Sequence, residues 1–260
     1  QLVHGQDLAE LLAKVKPSYR RAAEVIAKCA HALNYAHSLG VLHRDIKPAN
    51  ILLEENTDEP LLTDFGLARV EGNASLTKEG TVLGTPVYMP PEQAAGEYRL
   101  TRQADIYSLG ATLYEAVTGV PPYQGRDARK IILTVLREPP RSPKLSDPYM
   151  PESLFRIITK SMARRPSDRY KTGRAMAEDL EAFLENRPVK ANSVSEWARP
   201  GERGYAFLAI IFAFAGVILL TIFFVSLANE DFTGEQVSLV ELDKQASALK
   251  DSIKNPTGPT

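Results

Sequence analysis

Two regions of the chain place apolar residues three and four positions apart, which is the spacing of one buried face of an α-helix. The first, residues 18–39, follows Pro17 and stops before Gly40, as expected of a helix with a defined start and end. The second begins after Thr101, a candidate capping residue, and stops before Gly119. The apolar positions are Ile26, Cys29, Leu33 and Ala36 in the first helix and Ile106, Leu109, Leu113 and Ala116 in the second.

Shorter patterns complete the predicted fold. Helical spacing recurs at 127–136, 152–163 and 172–184, with a Pro-rich connection at 139–151. Short apolar runs at 41–42, 51–53 and 61–63 surround a polar turn at 54–60, which predicts small strands that carry loops. Residues 67–89 are rich in Gly, Thr and Ser and predict a long loop of the functional kind. We therefore expect a mainly α fold with a small β-hairpin region.

A second kind of pattern follows this predicted globular part. Residues 186–204 are polar and contain Pro188 and Pro200, which is typical of a linker. Residues 205–227 then form a stretch of 23 residues without a charge, long enough to cross a bilayer as a single helix. A buried core helix is the alternative, but such a helix is rarely this long and apolar on every side. The sequence therefore predicts a single-pass membrane protein.

The basic residues near this stretch predict its orientation. Arg187, Lys190, Arg199 and Arg203 precede it within twenty residues, whereas only Lys244 follows within twenty. Because basic residues favour the cytoplasmic side, residues 1–200 are expected in the cytoplasm, on the inner face of the cell membrane. Residues 228–260 would then be extracytoplasmic.

Within residues 228–260, five apolar positions recur at steps of three and four, the spacing of a coiled-coil seam. They are Leu239, Leu242, Ala246, Leu249 and Ile253. A homodimer through this seam is one interpretation. The alternatives are the beginning of a larger external domain, or an amphipathic helix that packs on such a domain.

The overall composition excludes several classes of function. Lys and Arg number 31 and Asp and Glu 32, so there is no excess of positive charge to attract a nucleic acid. Cys29 is the only cysteine, which excludes an intrachain disulfide and a Cys-based zinc site. Its place in an apolar stripe favours a buried thiol over a reactive one.

The candidate chemistry lies between the two long helices. Residues 43–50 read His-Arg-Asp-Ile-Lys-Pro-Ala-Asn, and Asp64-Phe65-Gly66 follows nineteen residues after Asp45. This combination resembles the H-R-D-L-x-x-x-N and D-F-G motifs of protein kinases, with Ile46 in place of the Leu. With Lys47 in its motif, the chain resembles the C-terminal lobe of a bacterial, eukaryotic-like Ser/Thr protein kinase, from residue 1 to about 185.

The resemblance implies ATP as the phosphoryl donor, Mg²⁺ as the metal with Mn²⁺ as an alternative, and protein substrates. Asp45 would orient the substrate hydroxyl and accept its proton. Lys47 would offset charge on the transferring phosphoryl group and bind the nucleotide. Asn50 and Asp64 would hold the metal through oxygen ligands. His43 could serve as an acid or base, because an unperturbed histidine side chain titrates near neutral pH, yet the resemblance makes it a packing residue beside Phe65.

Other residues would support the site. Residues 84–92 resemble the substrate-facing loop that ends in A-P-E, although Pro90 replaces the Ala. The resemblance pairs Glu92 with Arg169 and makes Asp105 the anchor of the His-Arg-Asp backbone, while Asp105 could instead simply suit the helix dipole.

Regulation and substrate contact are also implied. Arg44 would bind a phosphorylated threonine of the long loop, with Thr77 as the leading candidate and Thr81 as the next. Thr85 would contact Asp45 or Lys47. The alternative is that Thr77 and Thr81 are only solvated loop residues.

The motifs that cover the nucleotide in this family are absent from the 260 residues. There is no G-x-G-x-x-G and no strand lysine of the V-A-I-K type before the His-Arg-Asp motif. We expect the missing N-terminal lobe to lie upstream in the natural protein, the alternative being a naturally half kinase, and we expect residues 1–260 alone to be inactive. The rival functional class is a membrane-anchored pseudokinase that serves as a scaffold.

Overall fold

The computed structural model describes residues 4–65, 86–125, 127–192, 216–221, 240–248 and 250. The chain divides into two compact units, Gln1–Ala198 and Arg199–Thr260. In its described residues the first unit has eight α-helices and three strands. These elements are β1 (Gly5–Asp7), α1 (Leu8–Lys14), α2 (Tyr19–Ser38), β2 (Ile51–Glu54), β3 (Pro60–Leu62), α3 (Pro91–Ala94), α4 (Arg102–Thr118), α5 (Ala128–Arg137), α6 (Pro143–Ser146), α7 (Glu152–Ser161) and α8 (Gly173–Leu184). The mainly α character expected from the sequence is confirmed.

Helix α2 has the start, the end and the buried face that the sequence predicts. The Ser18 side chain accepts a hydrogen bond from the Arg21 amide at 3.1 Å, a cap that contributes about 1 kcal/mol. Gly40, just beyond the helix, has a φ of 78°, which residues with a Cβ rarely adopt. All four apolar positions of the predicted face are buried.

Helix α4 forms the centre of the lobe, where α2 and α7 pack against it. Its predicted apolar stripe is buried, but so are most of its other residues, because the helix is surrounded by neighbouring elements. Thr101 occupies the capping position, although its side chain makes no capping hydrogen bond. The helix ends at Gly119, whose left-handed φ of 79° lets its amide donate to the Glu115 carbonyl at 2.8 Å.

Close backbone approach locks α8 onto α2. A Cβ added to Gly173, the first residue of α8, would lie only 2.4 Å from the Ala30 carbonyl oxygen in the middle of α2. No side chain fits in that space, so glycine permits this packing.

The sheet differs from the predicted strands in two places. Strands β2 and β3 pair antiparallel with Ile51 opposite Leu62, as the apolar runs predict. The other edge of β2 pairs antiparallel with β1, with Gln6 opposite Leu53, and this pairing was not predicted. Val41 and Leu42 are not a strand, because the Val41 amide instead donates to the Ala36 carbonyl at the end of α2 (3.0 Å).

The first residues of the predicted linker pack on the lobe. The Lys190 amide donates to Asp179 Oδ1 at 2.7 Å, and Tyr170 donates to Asp179 Oδ2 at 2.8 Å. Ala191 is buried in the main core. The lobe therefore holds the chain as far as residue 191.

In the second unit, residues 216–221 and 240–248 are helical. Most of the predicted membrane span at 205–227 and three of the five seam positions, Leu239, Leu249 and Ile253, lie outside the described residues. Within the described ranges, none of the helices combines the length and the apolar character that a bilayer crossing requires.

Candidate active site

Asp45 lies in a short loop whose neighbours bind its carboxylate. Lys47 Nζ is 2.8 Å from Asp45 Oδ2. The Asn50 side-chain amide donates to the Asp45 carbonyl at 2.7 Å and to Oδ2 at 3.2 Å, drawn close by a 3₁₀ turn over Pro48–Asn50. One carboxylate oxygen of Asp45 is thus held by two donors. Among the described residues, no side chain donates to the other oxygen, which can accept a proton or a hydrogen bond from a hydroxyl group.

Asp105 holds the backbone immediately before Asp45. Its two carboxylate oxygens accept the amides of His43, at 2.9 Å, and Arg44, at 2.8 Å. The carboxylate is almost completely buried, so these hydrogen bonds form in a low dielectric environment where they are strong. This is the backbone contact that the resemblance implies. Asp105 therefore does more than interact with the dipole of its own helix, because it binds the backbone of another segment.

His43 is a packing residue in this structure. Its side chain is fully buried, and its ring lies 4.6 Å from the Phe65 ring, centroid to centroid. Its Nε2 is 2.9 Å from the Thr63 carbonyl, to which it must donate, and the Asp45 amide approaches Nδ1 at 3.4 Å. Because both ring nitrogens face the backbone, the ring is poorly placed to exchange a proton with a substrate.

The candidate metal ligands lie on adjacent parts of the hairpin. The Thr63 amide donates to the Asn50 carbonyl at 3.0 Å, so Asp64 directly follows a residue bonded to Asn50. Asp64 is exposed and has a φ of 57°. The Asn50 amide nitrogen points to Asp45, which leaves its side-chain oxygen as the end able to bind a cation.

This donor set suits a hard cation. Among the described residues there is no cluster of three or more His, Cys, Asp or Glu side chains that could hold a metal. Two protein oxygen ligands fit Mg²⁺, which keeps several waters and takes further ligands from nucleotide phosphates.

Arg169 and Glu92 form a buried ion pair. Arg169 Nη1 and Nη2 donate to the two Glu92 oxygens at 2.6 and 2.8 Å. The remaining three N–H groups of the guanidinium donate to the carbonyls of Ala163, Gln103 and Arg164 at 2.7 to 3.0 Å. The pair joins the end of the substrate-facing loop to the region before α8, as the resemblance implies.

Tyr88, in the same loop, is fixed to the central helix. Its hydroxyl donates to Glu115 Oε2 at 2.5 Å. Burial and this hydrogen bond raise the pKa of Tyr88 well above its ordinary value, so the hydroxyl stays protonated. Burial also raises the pKa of Glu115, even though the Tyr88 hydroxyl opposes the shift.

Two side chains that support the catalytic loop (residues 43–50) were not among the predicted site residues: Gln93 contacts the loop itself, and His37 contacts Asp105, which holds it. His37 Nε2 lies 2.7 Å from Asp105 Oδ2, and Gln93 Nε2 donates to the Arg44 carbonyl at 3.2 Å. Each contact joins residues about 50 to 70 positions apart, so no local spacing signals it. Within the described part of the chain, His37 Nδ1 is the one buried side-chain nitrogen or oxygen without a hydrogen-bond partner.

The candidate phosphorylation sites Thr77 and Thr81, together with Thr85 and Gly66, lie outside the described residues. The structure describes Phe65 and Pro86, at the two ends of that segment.

The contacts around Asp45 are those expected of a protein kinase. Residues 1–180 match the family model described as the protein kinase domain. Since the match covers more than half of the chain, the chain belongs to the protein kinase domain family.

Mycobacterial Ser/Thr kinases are among its relatives. Serine/threonine-protein kinase PknB of Mycobacterium tuberculosis is 36% identical over 197 residues, which are 75% of this chain and 31% of that protein. PknB of Mycolicibacterium smegmatis is 40% identical over 178 residues, 67% of this chain and 28% of that protein. The chain thus spans less than a third of the length of these curated relatives. The predicted membership of the protein kinase family is confirmed, and these relatives are Ser/Thr protein kinases.

The fold is also shared with a solved structure. The crystal structure of the Mycobacterium tuberculosis PknI kinase domain superposes with a TM-score of 0.54 and 26% identity, covering 70% of this chain and 63% of that domain. The protein-kinase-like fold expected from the sequence is therefore confirmed.

Proposed function

We propose that the protein containing this chain transfers the γ-phosphate of ATP to Ser or Thr residues of other proteins. The observation that carries the proposal is the geometry at Asp45. Lys47 and Asn50 hold one of its oxygens, and Asp105 fixes the backbone that leads to it.

In the proposed reaction, Asp45 orients the substrate hydroxyl and accepts its proton as the oxygen attacks the γ-phosphorus. Lys47 places a positive charge beside the developing negative charge of the phosphoryl group. The side-chain oxygens of Asn50 and Asp64 would hold Mg²⁺, which would supply positive charge to offset the negative charge of the nucleotide phosphates. The bond to the leaving β-phosphate oxygen breaks in line with the attack.

The test compares matched Asp to Asn substitutions in the full-length gene product. Asp45→Asn should lower kcat for phosphorylation of a protein substrate by about 10²- to 10⁴-fold, the usual contribution of a general base. Asp58→Asn, in the exposed β2–β3 turn, should leave kcat unchanged. Asp64→Ala should abolish Mg²⁺-dependent use of ATP. An inactive wild-type protein, or near-normal turnover by Asp45→Asn, would instead favour the scaffold.

Residues 1–260 contain no Gly-rich loop and no strand lysine to cover the nucleotide. We propose that this polypeptide alone transfers no phosphate and that the full-length gene product does. Phosphate transfer by residues 1–260 at about 1 per second, the lower end of kinase rates, would contradict this.

We further propose that Arg44 binds a phosphorylated Thr77 or Thr81. Arg44 is exposed next to the catalytic aspartate, and an arginine there can pair bidentately with a phosphate. Mass spectrometry of the active full-length protein should detect phosphate on one of these threonines. Active protein without phosphate on either residue would exclude the mechanism.

Membrane anchoring by residues 205–227 is a separate proposal. The described part supports it, because residues 216–221 are helical and their apolar side chains are exposed on every side of the helix. The Thr221 hydroxyl donates to the Val217 and Ile218 carbonyls within the same turn, so it needs no water partner.

Carbonate extraction of cell membranes tests the anchor. The wild-type protein should remain in the membrane pellet, with residues 1–200 digested only when protease reaches the cytoplasmic side. Leu219→Arg places a charge in the middle of the stretch and should weaken insertion, whereas Leu219→Ile should not. Recovery of the wild-type protein in the soluble fraction would contradict the proposal.

A homodimer through residues 239–253 is a further proposal. Residues 240–248 are helical and their side chains are exposed, as a seam without its partner would be. Pairing would hold two catalytic lobes close together and favour phosphorylation in trans. After removal of Cys29, Leu242→Cys on the seam should form a disulfide dimer in membranes, and Lys244→Cys off the seam should not. Equal crosslinking by both variants would refute the seam.

A further inference from the structure

The residue before Asp45 has an unusual backbone conformation. Arg44 has a φ of 67°, in the left-handed region that residues with a Cβ rarely occupy. Such a conformation persists only where the surroundings hold it. The peptide that joins Arg44 to Asp45 therefore needs contacts that fix it.

One of these contacts comes from α4. Asp105 accepts hydrogen bonds from the amides of His43 and Arg44, which fixes the chain on the N-terminal side of the Arg44 Cα. Neither bond reaches the peptide group on the other side, which leads into Asp45.

The second contact comes from α3. The Gln93 side-chain amide donates to the Arg44 carbonyl oxygen at 3.2 Å, and this oxygen belongs to the Arg44–Asp45 peptide. Gln93 is only 5% exposed. Its neighbour Glu92 is held by the bidentate ion pair with Arg169, so the α3 turn that carries Gln93 is itself anchored.

We propose that Gln93 is a positioning residue that fixes the plane of the Arg44–Asp45 peptide and thereby the direction of the Asp45 carboxylate. The inference rests on the proposed kinase activity of the site. Helix α3 begins at Pro91, at the end of the substrate-facing loop, so the hydrogen bond also couples the position of that loop to the catalytic loop. A side chain that only fills space at position 93 would not have these effects.

Two substitutions separate the hydrogen bond from the volume. Gln93→Met keeps the length of the side chain but removes the donor, and in the full-length protein kcat should fall about tenfold, which corresponds to about 1.4 kcal/mol. The KM for ATP should stay within twofold. Gln103→Met is the matched control, because the Gln103 side chain makes the same kind of bond, to the Lys171 carbonyl, and this bond is exposed to solvent. It should leave kcat unchanged.

Gln93→Glu adds a readout in pH. The carboxylate cannot donate to a carbonyl oxygen, whereas the protonated acid can. Burial against that oxygen favours the neutral form, so the pKa of this glutamate should be raised. Relative to wild type, the kcat of Gln93→Glu should therefore recover as the pH falls from 8 to 6, and that of Gln93→Met should not. If Gln93→Met does not fold, Gln93→Glu still gives the test.

A kcat of Gln93→Met within twofold of wild type would overturn the inference, as would the absence of recovery of Gln93→Glu at pH 6. Hydrogen exchange gives a measurement independent of activity. In Gln93→Met, but not in Gln103→Met, the Asp45 amide, which belongs to the Arg44–Asp45 peptide, should exchange at least several-fold faster. If the wild-type protein transfers no phosphate, the proposed kinase activity is refuted, but the role of Gln93 in holding the peptide is not. Exchange then decides the inference, and unchanged exchange of the Asp45 amide would overturn it.

Discussion

Replacing Arg169 tests whether the buried ion pair with Glu92 stabilises the lobe. The Arg169 side chain is completely buried and the Glu92 side chain is 7% exposed. All five N–H donors of the guanidinium are used, and its carbon lies 4.8 Å from the centre of the Tyr107 ring. Arg169→Met removes every donor while it retains most of the apolar volume.

The expected loss follows from the partners left behind. Removing one member of a buried ion pair costs about 3–5 kcal/mol, because the other charge stays buried without a counter-charge. Glu92→Met should cost a similar amount. The double variant removes both charges and leaves three carbonyls without their donor, at about 1 kcal/mol each, so it should lose only about 3 kcal/mol. The two single losses therefore should not add.

Equilibrium urea unfolding of the full-length protein in detergent, followed by circular dichroism, measures these free energies. Arg156→Met is the matched control, because Arg156 pairs with Glu152 at the surface with both side chains over 40% exposed. It should cost no more than about 0.5 kcal/mol. Two results would refute the reasoning: an Arg169→Met loss as small as that of the control, or a double variant as unstable as the sum of the single ones.

Three further predictions follow from other contacts. Burial raises the pKa of Cys29 from 9.0 to about 12. The unfolded chain therefore loses the thiol proton at lower pH than the folded chain, so the free energy of unfolding should fall as the pH rises above 9. At pH 10 the loss should be about 1.4 kcal/mol relative to Cys29→Ala. Equal pH dependence of both proteins in urea unfolding would contradict this. Gly173→Ala should cost at least about 2 kcal/mol in the same assay, because the Ala30 carbonyl has no room to move, and a loss below 0.5 kcal/mol would contradict the close packing. Asp105→Asn replaces one carboxylate oxygen, which accepts a backbone amide, with an NH₂ group that can only donate. The kcat for substrate phosphorylation should therefore fall at least about tenfold. An unchanged kcat would show that the position of Asp45 does not depend on Asp105.

Much of the fold could be predicted because helix formation leaves a local pattern. Helices α2, α4, α5, α7 and α8 lie within one or two residues of the ranges that the apolar spacing predicts. Side chains three and four positions apart share a helix face whatever the rest of the chain does. Strand β1 was missed because its three residues show no alternation of their own, and only their pairing with β2 defines them.

The candidate site also has one part that the sequence predicts and another part that it does not. Asp45, Lys47 and Asn50 could be recognised from the sequence because they lie within six residues of one motif, and the 3₁₀ turn brings them into contact. Thr77 and Thr81 remain predictions, as does most of the membrane span.

Only the tertiary structure shows how this motif is held. The left-handed φ of Arg44 and the hydrogen bonds from Gln93 and to Asp105 depend on elements 49 and 61 residues away. Their contacts exist because α3 and α4 pack beside the catalytic loop, and the free energy of that packing is spread over the whole core. The sequence by itself determined which residues could carry out phosphoryl transfer. The fold decided which other residues position them, because such contacts arise from packing and leave no periodic signal in the chain.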